Sequence, residues 1–189
     1  MPNAGNLPDT PTLRLALIYG STRPGRFCDT IAAWAQAEIA RHGRFTTTAI
    51  DTAQAPPDHF ANSLRAADAF VVLVPEYNHG YPAPLKALID AHYDEWQAKP
   101  VAFVSYGGVS GGIRAVEQLR QVFAELHAVT MRDAVSFANA AEQFDDRGEL
   151  RMPTRARRSA ATMLARLQWW ATVLRDARRT RPYTAATTE

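Results

Sequence analysis

The chain has 189 residues, of which 47% are hydrophobic and 21% are charged, and its formal net charge at pH 7 is +2. This length and apolar fraction suffice to bury the core of one domain, whereas so small a net charge does not by itself indicate a nucleic-acid-binding protein. No segment approaches the roughly 20 consecutive apolar residues that a transmembrane helix needs. The single cysteine, Cys28, excludes an internal disulfide and is typical of a cytoplasmic protein, so we expect a cytoplasmic location.

Strand-like and helix-like segments alternate along the chain between two polar termini. Strands are predicted at residues 13–19, 45–50, 69–74 and 101–105 and within 129–137. Helices are predicted at residues 30–42, 60–67, 85–93, 113–126 and 154–178. Residues 1–12 are polar and contain three prolines, so we expect a disordered N-terminal arm and not a signal peptide. One domain over residues 13–179 and a flexible tail over 180–189 complete the predicted organisation.

Three of the predicted strands are apolar throughout, which indicates burial on both faces. Strands of this kind form parallel sheets that are covered by helices on both sides. Five strands joined by right-handed crossovers give a doubly wound α/β sheet. In the order 2-1-3-4-5, the loops after strands 1, 3 and 4 lie together at the edge where ligands bind. The pattern therefore predicts a ligand site that is built from those three loops.

The loop after the first strand, GSTRPGRF, suits a phosphate. Its glycines have the spacing of a P-loop, but Arg26 and Phe27 stand where that motif requires lysine and a hydroxyl residue. The dinucleotide motif G-x-G-x-x-G is absent as well. Backbone N–H groups at a helix N-terminus and arginine side chains both bind phosphate oxygens, so a site for one terminal phosphate is predicted, with a solvated turn as the alternative. The side chains that surround it are Ser21, Thr22, Arg23 and Arg26.

The loop after the third strand has a different chemistry. Pro75, Glu76, Tyr77 and Asn78 suit an aromatic ring with polar edges rather than a second phosphate. A chain that offers a phosphate site and a ring site side by side is predicted to bind a mononucleotide. We expect FMN to be that ligand.

Three motifs, GSTRPGR, PEYNHGYPAPLKALID and YGGVSGGIRAVEQLR, together resemble the NADPH-dependent FMN reductases. These are flavodoxin-like enzymes that include quinone, azo-dye and chromate reductases. The resemblance runs from about Leu13 to Phe137, and it implies a flavodoxin-like FMN-binding domain. Many members of the family have serine and asparagine where this chain has Arg26 and Cys28.

The resemblance assigns a role to each loop. The first loop holds the FMN phosphate, the P-E-Y-N loop lies along the isoalloxazine ring and the ribityl chain, and the loop after the fourth strand borders the ring from the other side. No catalytic side chain is expected because the flavin carries the hydride transfer, and no metal site is predicted. The predicted cofactor-binding residues are Ser21, Arg23, Arg26, Phe27, Cys28, Pro75, Glu76, Tyr77, Asn78, His79, Tyr106, Gly107, Gly108 and Gly111.

Three of these residues have a structural alternative. Tyr77 can be an aromatic residue of the core. His79 can donate to a substrate, but we expect it at the ring edge or facing solvent without a catalytic role. Cys28 lies where a helix N-terminus lowers the pKa of a thiol, yet the chain has no second cysteine to resolve it, so we expect a buried, inert thiol.

The resemblance implies an oxidoreductase that uses FMN and takes electrons from NADPH or NADH. Flavin, quinone or similar small molecules would be the acceptors in a ping-pong reaction. One alternative is a flavin-binding redox sensor that docks a partner through its basic last helix or the Trp169–Trp170 pair. Another is a reductase dedicated to one natural product. The predicted partner is a small-molecule electron acceptor, without nucleic acid or membrane.

The last predicted helix carries an apolar stripe that is expected to pack on the sheet. Trp169 lies about 100° around the helix from Trp170, so both cannot occupy the centre of one stripe. Trp169 is then either a rim residue or part of a subunit contact, where tryptophan is enriched. We therefore expect a homodimer or homotetramer. The predicted stripe consists of Ala160, Met163, Leu164, Leu167, Trp170, Ala171 and Leu174.

Overall fold

The structure is a computed structural model that describes residues 12–183. Its strands are β1 (Leu13–Tyr19), β2 (Phe45–Asp51), β3 (Ala69–Pro75), β4 (Pro100–Tyr106), β5 (Val129–Thr130) and β6 (Val135–Phe137). Its helices are α1 (Cys28–His42), α2 (Ala61–Ala66), α3 (Ala83–Asp90), α4 (Ile113–Glu125), α5 (Ala140–Gln143) and α6 (Pro153–Thr180), with short 3₁₀ helices at Pro57–Phe60 and Asp94–Trp96. The predicted arm up to residue 11, and residues 184–189 of the predicted tail, lie outside the described residues.

The strands form one parallel sheet in the order β2-β1-β3-β4-β5, and β6 also pairs with β4. This arrangement confirms the predicted strand order. Because β1 and β3 are neighbours and β3 pairs with β4, the loops that follow these three strands meet at one edge of the sheet. The sheet therefore brings together the three loops in which the ligand site was predicted.

Two apolar layers hold the sheet, one on each face. The odd-numbered residues of β1, such as Leu15 and Leu17, pack with α1 and α6, whereas Ala16 and Ile18 pack with α2, α3 and α4. Every residue of β3 and of β4 is buried. The prediction that these strands are covered on both faces is confirmed.

The fifth strand position is divided into two short strands. β5 pairs with Pro100 and Val101, whereas β6 pairs with the opposite end of β4. Between β5 and β6 the chain leaves its pairing with β4. Arg132 is exposed there, and Asp133 forms an ion pair with Arg166 on α6. A continuous buried strand would place Arg132 and Asp133 in the core.

The helix α6 differs from its prediction at one tryptophan, and Leu174 of the predicted stripe is only half-buried. Ala160, Met163, Leu164, Leu167 and Ala171 are buried as expected. Trp170, however, is 36% exposed, and it packs edge to face on Trp169, which is 59% exposed. The prediction that Trp170 belongs to the buried stripe is therefore wrong. None of the helices described over residues 12–183 is both long and apolar enough to cross a bilayer.

Candidate functional site

A close approach of two strands creates the site. The first loop (residues 20–27) begins at Gly20, whose N–H donates to the carbonyl of Leu73 on β3 at 2.8 Å. A Cβ at residue 20 would overlap the carbonyl oxygen of Leu73, so this position accepts only glycine. The contact brings the first loop beside the second loop (residues 76–82), which follows β3.

The first loop presents unpaired donors at the N-terminus of α1. Among the described residues, the backbone N–H groups of Thr22, Gly25 and Phe27 have no hydrogen-bond partner. The side chain of Arg23 is exposed beside them. Oriented N–H groups, a helix N-terminus and an arginine favour an anion with several oxygens. This arrangement fits the phosphate of a mononucleotide.

Arg26 is held by protein groups instead of facing the open side of the loop. Its guanidinium makes a bidentate ion pair with Asp51 at the end of β2, in which Nη1 and Oδ1 are 2.7 Å apart. It also donates to Asp29 and to the carbonyl of Ser21. The hydrogen bond to Asp51 raises the pKa of Arg26. Arg26 thus ties the first loop to β2 and to the first turn of α1.

The carboxylate of Asp51 is stabilised as an anion. Burial raises the pKa of Asp51, but hydrogen bonds from Arg26 and from the N–H of Ala53 outweigh burial and leave that pKa below its ordinary value. The Asp51 side chain is 5% exposed and that of Arg26 is 10% exposed. The charged pair is therefore a largely buried brace under the first loop.

Aromatic and thiol groups support the first loop from below. Cys28 is fully buried, and burial raises the pKa of its thiol. Phe27 packs between Tyr106 and Phe144, with ring centroids 6.2 Å and 5.6 Å away. Tyr106 is 6% exposed, and burial raises the pKa of its hydroxyl. These side chains shape the loop from the core side.

A hydrogen bond joins the first loop to the second. The hydroxyl groups of Ser21 and Tyr77 are 2.7 Å apart, and Ser21 is fully buried. The guanidinium carbon of Arg23 lies 3.6 Å from the centroid of the Tyr77 ring, which is a cation–π contact. Tyr77 therefore connects the two loops and is not a residue of either hydrophobic core.

The second loop contains a tight turn with unusual backbone angles. Tyr77 and Gly80 exchange two backbone hydrogen bonds of 2.9 Å and 3.1 Å. The two residues between them, Asn78 and His79, have positive φ angles of 49° and 71°. Nε2 of His79 lies 2.6 Å from Nη1 of Arg114 on α4. The tip of the turn is thereby fixed against α4.

Glu76 links the second loop to the third loop (residues 107–112), which follows β4. Its carboxylate accepts hydrogen bonds from the hydroxyl of Ser110 at 2.7 Å and from the backbone N–H of Arg114 at 3.3 Å. Arg114 also forms an ion pair with it at 3.1 Å. The Glu76 side chain is 8% exposed. Like Asp51, it is a buried carboxylate; it joins the second loop to the third loop and to the start of α4.

The third loop is shaped by two glycines and offers further donors. Gly111 and Gly112 have φ angles of 61° and 82°, and a Cβ at either position would clash with neighbouring atoms. The carbonyl of Gly111 accepts hydrogen bonds from Ser105 and Ser136. Within the part of the chain that the structure describes, six backbone N–H groups of the second and third loops have no partner. They belong to Asn78, His79, Tyr81, Gly108, Val109 and Ser110.

The predicted site residues fall into three groups by exposure. Exposed are Arg23, Asn78, His79 and Gly108; half-buried are Arg26, Phe27, Glu76, Tyr77 and Gly107; buried are Ser21, Cys28, Pro75, Tyr106 and Gly111. All of them lie in or beside the three loops. The exposed group is accessible to a ligand, and the buried group shapes the loops.

Sequence reasoning missed the partners that hold the loops. Asp51 ends the strand next to β1, and its position at the carboxyl edge was a usable signal once the strand order was predicted. Ser110 lies within the predicted third loop, and Arg114 occupies the first turn of the helix that follows it. Ser136 had no signal because it belongs to the divided fifth strand.

We expect Ser21 and Tyr77 to be energetically coupled. Tyr77→Phe leaves the buried hydroxyl of Ser21 without its partner, so a double-mutant cycle with Ser21→Ala should give a coupling of about 0.5–1.5 kcal/mol in the free energy of unfolding. Urea denaturation of the four proteins measures it. Tyr19→Phe is the matched control, because the Tyr19 hydroxyl lies 3.4 Å from Gln36 at an exposed site. Coupling no larger than that between Tyr19 and Ser21 would contradict the link between the loops.

Comparison with solved structures supports the fold. The flavoenzyme NAD(P)H:(acceptor) oxidoreductase FerB of Paracoccus denitrificans superposes with a TM-score of 0.71 at 21% identity, over 86% of this chain and 98% of that one. A flavodoxin, the WrbA-like protein of Agrobacterium tumefaciens, gives a TM-score of 0.59 at 19% identity, over 87% of this chain and 99% of that one. These similarities confirm the predicted flavodoxin-like, doubly wound fold.

Sequence comparison identifies closer relatives. An NAD(P)H-dependent FMN reductase of Schizosaccharomyces pombe is 35% identical over 59% of this chain and 66% of its own length. An NAD(P)H-dependent FMN reductase of Saccharomyces cerevisiae is 33% identical over 63% of this chain and 76% of its own length. A quinone reductase of Pseudomonas putida is 36% identical over 54% of this chain and 61% of its own length. The chain thus spans about two thirds of the length of these curated relatives.

The family assignment rests on the matched segment. The family model for NADPH-dependent FMN reductase matches residues 13–142, which include all three loops of the site. The match confirms the resemblance found in the three motifs, and with it the expected pairing of FMN with NAD(P)H at the level of the family. The chain belongs to the NADPH-dependent FMN reductase family.

Proposed function

We propose that this protein is an FMN-dependent NAD(P)H oxidoreductase that reduces flavin, quinone or similar small acceptors. The observation that carries the proposal is the joined pair of loops: unpaired N–H groups and Arg23 on the first loop, linked through Ser21 and Tyr77 to a second group of unpaired N–H groups. A phosphate cradle joined directly to a second group of donors suits a mononucleotide. The family assignment supports FMN as its identity.

The first and second loops would bind the cofactor by different means. Arg23 and the N–H groups of Thr22, Gly25 and Phe27 would hold the phosphate, while Arg26 and Asp51 keep the loop in shape. Asn78 and Tyr77 would lie along the ring and the ribityl chain. When bound, FMN supplies the two-electron carrier between NAD(P)H and the acceptor.

The third loop would stabilise negative charge on the reduced cofactor. Its unpaired N–H groups at Gly108, Val109 and Ser110 are fixed in advance by the hydrogen bonds of Gly111 and by Glu76. Donors that are already oriented stabilise developing charge without reorganisation at the time of reaction. The overall reaction would convert NAD(P)H, a proton and a quinone into NAD(P)⁺ and a hydroquinone.

We further propose that the protein acts in the cytoplasm as a homodimer or homotetramer. The single cysteine supports the location. Trp169, Trp170 and Val173 form an exposed apolar surface on α6, with fractional exposures of 59%, 36% and 42%. Exposed tryptophans in a cluster are typical of subunit contacts.

Replacement of Arg23 should distinguish binding of the FMN phosphate from binding of the flavin ring. Arg23→Ala removes a charge-assisted contact, so it should weaken FMN binding by roughly one to two orders of magnitude and leave riboflavin binding almost unchanged. Arg26→Ala should weaken both ligands, because it removes the brace to Asp51 and lets the loop move. Fluorescence titration measures both affinities, with the exposed Arg44→Ala as the control. Equal losses of FMN and riboflavin in Arg23→Ala would refute the phosphate assignment.

Steady-state kinetics tests the proposed activity. Donor and acceptor would share one open face of the site, so the donor must leave before the acceptor binds. We expect the purified protein to show the visible spectrum of oxidised flavin and to give parallel lines in initial-rate plots of NADPH against a small quinone. Intersecting lines would mean a ternary complex. Absence of NADPH oxidation by protein with bound FMN would favour the redox-sensor alternative.

Light scattering during size exclusion tests the assembly. The chain has a mass of 20.9 kDa, so a dimer should elute at about twice that value. Trp169→Ala should shift the equilibrium toward the monomer, whereas Arg44→Ala on an exposed surface should not. A clean monomer for the unmodified chain at micromolar concentration would rule out the proposed assembly.

A further inference from the structure

His79 occupies a backbone position that ordinarily belongs to glycine. Asn78 and His79 are the central residues of the turn between Tyr77 and Gly80, and both have positive φ angles. Two-residue turns of this kind strongly prefer Asn-Gly, because only glycine adopts such angles freely. The chain has asparagine at the first position and histidine at the second, so it retains a strained residue. Strain of this kind points to a use for the side chain.

The histidine ring is held in one tautomer. Arg114 carries only hydrogen-bond donors, so the contact of 2.6 Å between its Nη1 and Nε2 of His79 requires that Nε2 accept. The proton of a neutral imidazole must then reside on Nδ1. Gln118 fixes the backbone of the same residue by donating to the His79 carbonyl at 3.0 Å. Among residues 12–183, Nδ1 has no hydrogen-bond partner, and the side chain is exposed. The result is an oriented, unused N–H donor.

The junction of the third loop and α4, to which Arg114 belongs, exposes apolar side chains. Arg114 is anchored by the ion pair with the buried carboxylate of Glu76, so the orienting group is itself fixed. Val109 on the third loop is 88% exposed, and Ile113 at the start of α4 is 54% exposed. These apolar side chains lie on the same junction of loop and helix that carries Arg114. A hydrogen-bond donor held by Arg114, whose loop–helix junction also exposes apolar side chains, suits a ring that bears a carbonyl.

We propose that His79 determines acceptor specificity by donating a hydrogen bond from Nδ1 to the carbonyl oxygen of a quinoid acceptor. This inference rests on the proposed function. A quinone takes up two electrons and two protons to become a hydroquinone, and negative charge develops on its oxygens as the electrons arrive. The N–H of His79 stabilises that charge and orients the ring. One hydrogen originates with the two electrons from NAD(P)H, and the other comes from water as a proton, since the neutral imidazole keeps its own. Arg114 is a positioning residue for the histidine.

The variant His79→Gly distinguishes this role from a structural one. Glycine relieves the strained turn, so the free energy of unfolding should stay equal or rise. Loss of the donor should lower the ratio of kcat/KM for a benzoquinone to that for ferricyanide on the order of tenfold. Ferricyanide takes one electron and has no carbonyl to bind. His79→Asn, which tolerates the backbone angle and keeps an amide donor, should recover part of the ratio.

Every result of this experiment either supports or overturns the specificity role of His79. As a control, His59→Asn at an exposed histidine outside the three loops should leave the ratio of kcat/KM for the benzoquinone to that for ferricyanide unchanged. An unchanged ratio in His79→Gly, or an equal loss with both acceptors, would overturn the specificity role. Failure of NADPH to reduce FMN in the unmodified protein would refute the proposed function itself, and anaerobic stopped-flow spectroscopy of the holoenzyme detects that step separately.

Discussion

The contact between Gly20 and the Leu73 carbonyl is the constraint on which the site depends. It allows the chain to leave β1 directly against β3, so that two loops from separate strands share one opening. The hydrogen bond between Ser21 and Tyr77 then crosses from one loop to the other. A side chain at residue 20 would push the strands apart at the place where the loops must meet.

Two buried carboxylates stabilise the loops that the contact between Gly20 and Leu73 brings together. Asp51 binds Arg26 under the first loop, and Glu76 binds Arg114 between the second and third loops. Both partners of the Asp51–Arg26 pair are largely buried, so removing one of them should cost roughly 3–5 kcal/mol because the other charge stays unpaired. Each pair satisfies side-chain charges within the protein, which leaves backbone N–H groups and Arg23 free for a ligand. The same residues that make the loops rigid thereby determine which donors are available.

Much of the architecture could be predicted from the sequence, because it depends on local patterns. Apolar strands such as β3 predict burial on both faces of the sheet, and glycines that follow strands predict the loops. No local pattern identifies the partner of Arg26, since Asp51 is 25 positions away and meets it only after β1 and β2 pair; the predicted strand order places Asp51 at the same edge of the sheet but does not specify the ion pair. Trp170 was misplaced for a related reason. Helical periodicity gives the direction of a side chain but not the width of the buried face: Ala171 and Arg175 are buried further along α6, and Trp170 lies at the edge of that face.

The two arginines of the first loop are expected to have different roles, Arg23 as a phosphate ligand and Arg26 as a brace. A crystal structure of the FMN complex would separate these roles. We expect a phosphate within hydrogen-bond distance of Arg23 and of the N–H groups of Thr22, Gly25 and Phe27, while Arg26 remains paired with Asp51. A phosphate that Arg26 binds after release from Asp51, or one that lies outside the first loop, would contradict these roles.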